Sequence, residues 1–255
     1  MPLELVTIPC LSDNYAYLLH DAESGATAVV DVPEAGPVLA ALEARGWRLT
    51  DIWITHHHAD HVDGVAELRA ATGARVVGAA ADAHRLPPLD LALPEEGRLT
   101  LAGVVVETFP VPGHTVGHIA FSLPSERLVF TGDSLMAAGC GRLFEGTAAQ
   151  MWASLSRLAA LEPETLICSG HEYTASNIRF ARSLEPDNAA LMLRAERVDG
   201  ARREGRPTVP VTLAEELATN PFLRARLPGM KAAIGLAYAT DAEAFAEIRA
   251  RKDRF

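Results

Sequence analysis

Four histidines and an aspartate crowd into the run Thr55-His56-His57-His58-Ala59-Asp60-His61, directly behind the apolar stretch Ile52-Trp53-Ile54. That stretch has the β-branched and aromatic character of a strand, so the histidines stand just past a strand end. Loops at strand ends carry the chemistry of α/β proteins, because a rigid scaffold presents an exposed segment. Side chains alternate along extended chain, which points His56 and His58 the same way. The segment Val62–Thr72 is helix-compatible, so the chain turns into a helix near Asp60, and Asp60 and His61 diverge toward a second centre. Imidazole with carboxylate, and without cysteine, suits a hydrolytic zinc, iron or manganese site with ligands at ~2.0–2.2 Å. A polyhistidine surface loop that binds metal adventitiously would read the same over this run alone.

Three further strand ends argue against such a loop. Pro112-Gly113-His114-Thr115-Val116-Gly117-His118 follows the apolar run ending at Phe109, Thr131-Gly132-Asp133-Ser134 follows Leu128–Phe130, and Ser169-Gly170-His171-Glu172 follows Thr165–Cys168. Each offers a His or Asp beside a glycine, where the backbone must turn tightly or approach closely. The candidate ligands are therefore His56, His58, Asp60, His61, His114, Asp133 and His171. His57 is expected to point away from the metals, in packing or in a hydrogen bond to a ligand's neighbour. His118 reads equally as a partner of a ligand or as structural, and His20 and His84 as solvent-exposed or incidental.

Around these motifs, short β-rich runs alternate with helical stretches through the first ~170 residues. Strands are expected at Leu3–Ile8, Tyr15–Leu19, Thr27–Asp31, Asp51–Thr55, Arg75–Gly78, Val104–Phe109, His118–Leu123, Leu128–Thr131 and Thr165–Ser169, and helices at Pro37–Arg45 and Val62–Thr72. Thr147 with Gln150 reads as a capping box that opens a third helix. From Tyr173 on, strand signals vanish and Ala, Leu, Arg and Glu take over. Two more capping boxes follow, Thr212 with Glu215 and Thr240 with Glu243, separated from earlier helix by a proline-bearing loop over Glu204–Pro210. The reading is a mixed α/β domain, residues 1–172, followed by a helical domain, residues 173–255.

A net charge of −10 argues against nucleic acid, whose phosphates a dispersed negative field repels. No apolar run approaches the ~18 residues of a membrane-spanning helix. The start Met1-Pro2-Leu3-Glu4-Leu5 lacks a basic region leading into an apolar stretch, so no cleaved secretory signal is expected. Cys10, Cys140 and Cys168 are widely spaced and odd in number, which suits reduced thiols in the cytoplasm rather than a disulfide framework. Cations gather near the end of the chain, at Arg249, Arg251, Lys252 and Arg254.

The run His56-x-His58-x-Asp60-His61, with His114, Asp133 and His171 in order, resembles the metallo-β-lactamase superfamily. That resemblance implies an α+β fold, a four-layer αββα sandwich with the metals at one sheet edge. It implies that His56, His58 and His114 hold a first metal, that Asp60, His61 and His171 hold a second, and that Asp133 bridges them. Within the superfamily the chain resembles the glyoxalase II (hydroxyacylglutathione hydrolase) family over nearly its whole length. The resemblance rests most on Gly139-Cys140-Gly141-Arg142-Leu143-Phe144-Glu145-Gly146-Thr147, on Gly170-His171-Glu172-Tyr173-Thr174, and on the helical extension closing with Arg249-x-x-Lys252. It implies that Arg142, Phe144, Tyr173, Arg249 and Lys252 contact glutathione. Two departures stand out. Asp63-Gly64 replaces the usual Gly-Gly after the histidine run, and Phe144 lacks the phenol that some members carry there.

The expected reaction is hydrolysis of an S-(2-hydroxyacyl)glutathione, S-D-lactoylglutathione foremost, to glutathione and a 2-hydroxy acid by a metal-bound hydroxide. Two nearby divalent ions, zinc ahead of iron or manganese, can bring a shared water's pKa toward ~7. Asp60 and Asp133 would both ligate, and one of the two would accept hydrogen bonds that aim the nucleophile. The leaving thiol has a free pKa of ~8.5 and departs without a general acid. Arg249 and Lys252, three apart on a helix, would share a face and meet the glutathione carboxylates together with Arg142. The expected partner is this small-molecule thioester, with no nucleic acid and no membrane, and the expected state is a monomer. A mononuclear iron persulfide dioxygenase of the same fold is the enzymatic rival, but it wants a single metal site and a shorter C-terminal region. A β-lactamase or lactonase would lack the basic C-terminal helix, and a non-catalytic metal-binding module would lack a ligand.

Overall fold

A computed structural model of the protein describes residues 3–255; Met1 and Pro2, the first residues searched for a secretory leader, lie outside the described residues. The chain forms two compact units, Met1–Pro110 with Gly117–Gly132, and Val111–Val116 with Asp133–Phe255.

The first unit contains β1 (Glu4–Cys10), β2 (Asn14–His20), β3 (Thr27–Val30), α1 (Ala35–Arg45), β4 (Asp51–Trp53), α2 (Ala59–Val62), α3 (Val65–Thr72), β5 (Arg75–Ala79), β6 (Leu91–Leu93), β7 (Arg98–Leu101), β8 (Val104–Pro110), β9 (Ile119–Leu123) and β10 (Leu128–Gly132). Strands β1 to β6 lie side by side in sequence order. Pairing is antiparallel from β1 to β3 and parallel from β3 to β6. Parallel neighbours need a crossover, which α1 supplies before β4, and α2 with α3 before β5. Helices α1 and α3 bury Val38, Leu42, Val65 and Leu68 in one cluster with Val29, Ile52 and Val76 of the sheet. Strands β7 to β10 form an antiparallel meander. Its inner face meets the first sheet through Trp53 stacked on Phe121 at 5.4 Å and Tyr17 tilted against Phe130 at 5.5 Å.

The strands expected in this unit are all present, and β6 and β7 are additional. The helix expected over Val62–Thr72 is instead two, α2 and α3, broken at Asp63-Gly64. Packing explains the break. A Cβ on Gly64 would stand 2.6 Å from the carbonyl carbon of Glu34, so the two backbones touch directly. Val32 N–H donates to His61 O at 2.8 Å and Gly64 N–H to Val32 O at 3.0 Å, stitching the start of the helical pair to the exit of β3. Asp63, the unusual residue of the pair, faces solvent.

The second unit contains β11 (Leu135–Met136), β12 (Gly139–Cys140), α4 (Ala148–Leu158), β13 (Leu166–Ser169), α5 (Thr174–Leu184), α6 (Ala189–Arg203), β14 (Val211–Thr212), α7 (Leu213–Thr219), α8 (Pro228–Ala233) and α9 (Asp241–Arg254). Thr147 and Thr240 cap α4 and α9 through full reciprocal boxes. Thr212 caps α7 one way, by accepting from Glu215 N–H at 3.3 Å. Strand signal does not end at Tyr173 as expected, because β14 pairs antiparallel with β13, Val211 opposite Ile167. Phe180, Phe222 and Phe245 form the aromatic centre of the helical region, with successive ring centroids 6.2 and 5.7 Å apart.

Replacing Gly64 by alanine drives a methyl group into backbone that cannot swing aside. We expect Gly64→Ala to cost about 1–3 kcal/mol, read as a lower urea midpoint at unchanged slope; an unchanged midpoint would show that the approach relaxes freely.

Candidate metal and substrate site

The histidine run behaves locally as its spacing requires. His58 is extended and precedes α2, which places Asp60 and His61 in the first helical turn. His56 Nδ1 meets Thr55 Oγ1 at 3.0 Å, and His56 Nε2 faces His58 Nδ1 at 3.2 Å. Ligands held at ~2.0–2.1 Å in tetrahedral array stand roughly 3.3 Å apart, so these two ring nitrogens have the separation of neighbours on one metal. His61 turns Nδ1 to Asp31 Oδ2 at 2.8 Å, while its Nε2 lies 3.9 Å from Asp60 Oδ2. Asn14 Nδ2 donates to Asp60 Oδ2 at 3.0 Å and to Asp60 O at 2.9 Å, fixing that carboxylate from β2.

Asp31 was not singled out in the sequence, and it organises this half of the site. Its Oδ1 accepts from Thr55 N–H and its Oδ2 from Thr55 Oγ1, both at 2.8 Å, in addition to the bond with His61. Donor atoms of Asp31, His56 and His61 lie within 4.8 Å of one another. Asp31 nevertheless reads as the partner that orients His61 rather than as a ligand, since both its oxygens are already committed. Its backbone is left-handed, at φ 57°, a cost that a non-glycine residue accepts where its side chain is needed. The available signal was its place at the end of the strand beside β4, but strand order is not written in a local motif.

His57 points to Asp82, with Nδ1 3.0 Å from Oδ2, as expected for a side chain turned from the metals. His118 is fully buried and stacks on His56 at 4.7 Å, so it touches a candidate ligand. His20 is not solvent-exposed: it is buried against Trp47 at 4.0 Å and bonds Thr27 Oγ1 at 2.8 Å. His84 is exposed.

The second unit brings His114, Asp133 and His171 together. His114 Nδ1 donates to Arg142 O at 2.9 Å, leaving Nε2 3.5 Å from Asp133 Oδ2. His171 Nε2 lies 3.2 Å from the same oxygen. All three side chains are buried, and one carboxylate oxygen again has two imidazole nitrogens at the spacing of shared ligands. An outer hydrogen bond that fixes the tautomer and orientation of a ligating imidazole is the usual companion of a metal site, and His61 and His114 both have one. The donor set fits a divalent metal. Gly141 permits the local turn: a Cβ there would stand 2.0 Å from Asp133 O.

Beside these ligands stand the residues expected to meet glutathione. Phe144 is 63% exposed with its ring 5.2 Å from that of His114, and Tyr173 is 40% exposed and parallel to His171 at 4.8 Å. Arg142 is exposed. The two cations spaced three apart on α9 meet different surroundings. Arg249 is only 5% exposed; it donates to Cys140 O at 3.0 Å, pairs with Asp253 at 2.9 Å and lies over Phe222. Lys252 is half-buried, 3.4 Å from Ser176 O, with its ammonium 5.3 Å from the Phe180 ring and 5.4 Å from that of Phe255. Burial, then the charges of Arg249, Arg179 and Arg142, push the Lys252 ammonium down to about 8, against a smaller upward pull from Asp253. Arg179, on α5, is a cation of this cluster that the sequence reading did not single out. The three cysteines are buried and free. Burial is the main cause that pushes the Cys10 and Cys140 thiols up to about 11, and Cys168 further still.

With this geometry, comparison with known proteins places the chain. Residues 13–171 match the family model of the Metallo-beta-lactamase superfamily, and residues 172–255 match that of the Hydroxyacylglutathione hydrolase C-terminus. A hydroxyacylglutathione hydrolase of Cereibacter sphaeroides is 67% identical over 255 residues, all of both chains. The BLEG-1 B3 metallo-beta-lactamase superposes with a TM-score of 0.68 at 21% identity, covering 86% of this chain and 99% of that one. TTHA1623 in a di-iron-bound form gives 0.61 at 28% identity, covering 88% and 100%. The protein belongs to the metallo-β-lactamase superfamily, and the expected fold with its C-terminal helical region is the observed one. Within that superfamily it is a member of the hydroxyacylglutathione hydrolase family.

If Asp31 orients His61, Asp31→Ala weakens metal binding about 10–100-fold. Competition with a chromophoric chelator would measure this, and wild-type affinity in the variant would remove Asp31 from the site.

Proposed function

We propose that the protein hydrolyses S-(2-hydroxyacyl)glutathione, with S-D-lactoylglutathione as its principal substrate, to glutathione and the 2-hydroxy acid. The observation that carries this reading is a local one. In a chain of net charge −10, Arg249, Arg179 and Arg142 each act electrostatically on Lys252, in the unit where Phe144 and Tyr173 lie against candidate metal ligands. Glutathione carries two carboxylates, and a mostly acidic protein must concentrate cations to hold them. The full-length identity with hydroxyacylglutathione hydrolases supports the same substrate and does not favour the persulfide dioxygenase or a non-catalytic module.

Two divalent ions are proposed, zinc first, with iron or manganese compatible with the same His and carboxylate donors; the di-iron form of TTHA1623 supports the count. His56, His58 and His114 would hold one, Asp60, His61 and His171 the other, and Asp133 both. When bound, such ions polarise a carbonyl and lower the pKa of a water toward ~7. The chain's own residues do the rest. Asp60 and Asp133 accept hydrogen bonds from the attacking water and aim it at the thioester carbon. Phe144 and Tyr173 offer rings to the body of the substrate, and Phe144, lacking a hydroxyl, does so by contact alone. Lys252 and Arg142 face the glutathione carboxylates, and Arg249 adds its charge from behind. The thiolate leaves without a proton donor, its free pKa being ~8.5. Residues 1–172 act as the catalytic domain and 173–255 as the substrate-binding domain. We place the protein in the cytoplasm as a monomer, without nucleic-acid or membrane partners; among the described residues no helix is long and apolar enough to cross a membrane.

The deciding assay follows loss of S-D-lactoylglutathione beside a lactoyl thioester of a small thiol that lacks the carboxylates. Fast turnover of the first and slow turnover of the second is expected; equal rates would remove the cationic cluster from recognition, and no turnover of either would sink the hydrolase.

A pH profile tests Lys252 separately. The ammonium is present below about 8 and lost above it, so KM is expected to climb as pH rises through that value, and to do so less in Lys252→Arg. In stability the sign is opposite to that of a salt-bridged lysine. With the folded value below the unfolded 10.5, the folded state holds fewer protons in the interval, and this group's contribution grows as pH rises from 8 to 10.5.

A further inference from the structure

The short hairpin β11–β12 is held almost wholly from outside. Asn220 Nδ2 donates to Met136 O at 3.2 Å and to Gly139 O at 2.9 Å. Asn177 Nδ2 donates to Ala137 O at 3.0 Å. Ala138 N–H donates to both carboxylate oxygens of Glu216, at 2.9 and 3.1 Å, and Cys140 O accepts from Arg249. Every residue from Met136 to Cys140 thus has a backbone group bound by a side chain of α5, of α7 or its C-cap Asn220, or of α9. Two-residue strands cannot hold themselves in water, and Ala138 is left-handed at φ 53° without being glycine.

The grip is itself braced. Glu216 and Arg194 form a buried ion pair, Arg194 also donates to Thr219 Oγ1 at 2.6 Å, and Asn220 donates to Glu216 Oε2 at 2.8 Å. Such a network is fully satisfied, and removing one member leaves the others buried without partners. The hairpin runs between two of the candidate metal positions. Asp133 stands two residues before it, and Gly141 N–H, just after it, donates to Ser134 O at 3.1 Å. The next carbonyl, that of Arg142, accepts from His114 Nδ1.

We propose that the helical region is a mould for the metal centre: Asn177, Glu216 and Asn220 are positioning residues that set Asp133 and, through the Arg142 carbonyl, His114. The inference rests on the reading of Asp133 and His114 as metal ligands. It assigns the C-terminal helices a role in metal binding, beyond the contacts with glutathione.

The test uses the full chain with Asn220→Ala, Asn177→Ala and, as a control destabilised elsewhere, Met230→Ala in the buried core of α8. Zinc affinity of metal-stripped protein is measured by chelator competition well below every melting transition, beside kcat and KM for S-D-lactoylglutathione. Asn220→Ala is expected to lose about tenfold in zinc affinity. Its kcat should fall while KM stays within about twofold. Met230→Ala should lower the melting temperature yet bind zinc as the parent does. Parental zinc affinity in Asn220→Ala, beside a lowered melting temperature, would overturn the mould. Should Asn220→Ala not fold, Asn177→Ala removes a single hydrogen bond and carries the same expectation at smaller size. Zinc binding without turnover by the parent would sink the hydrolase reading while the affinity comparison still decides the mould.

Discussion

The carboxylate of Asp31 is the constraint on which the first unit's half of the site depends. It takes the N–H and hydroxyl of Thr55 and the ring N–H of His61, so it ties the end of one strand to the loop behind its neighbour and to the first turn of α2. Parallel pairing of β3 with β4, Val30 opposite Trp53, brings Asp31 to that loop. The order of causes is therefore clear. Apolar strands pair in register, register delivers a carboxylate, and the carboxylate turns an imidazole so that its other nitrogen faces Asp60 at 3.9 Å. The cost lies in backbone conformation at Asp31 and in burial of a carboxylate, and three hydrogen bonds to that carboxylate offset it.

The second unit solves the same problem with a carbonyl. His114 is turned by Arg142 O, at the far end of a hairpin too short to be rigid by itself. The difference matters physically. A carboxylate on a strand inherits its position from the sheet, whereas a carbonyl in a loop is only as fixed as its supports. Those supports are side chains of the C-terminal helical region, which bind the backbone of the hairpin just before Arg142.

Much of this was legible in the sequence, for identifiable reasons. The ligand runs declare themselves because His or Asp recurs beside glycine just past three separate apolar strand runs, in addition to the histidine-rich run behind Ile54. The strands from β1 to β5 show as β-branched runs, and the capping boxes at Thr147 and Thr240 open α4 and α9 as read. What could not be read was set by distant partners. β11, β12 and β14 are two residues long and exist because something else holds them, so no local propensity marks them. The break at Asp63-Gly64 answers to the backbone of Glu34. Arg249 and Lys252, three apart on a helix, read as one cationic face toward the substrate; only the fold reveals that Arg249 is enclosed while Lys252 stays half-buried.

The cysteines acquire a different meaning in this setting. Thiol–disulfide exchange runs through the thiolate, and all three side chains are enclosed, with thiols held well above neutral pH by their surroundings. An enzyme that liberates a tripeptide thiol at its own surface works in a bath of sulfur nucleophiles and their oxidised dimers. This chain presents such a medium with no sulfur of its own to trade, so its turnover should be indifferent to the redox state of the pool it feeds.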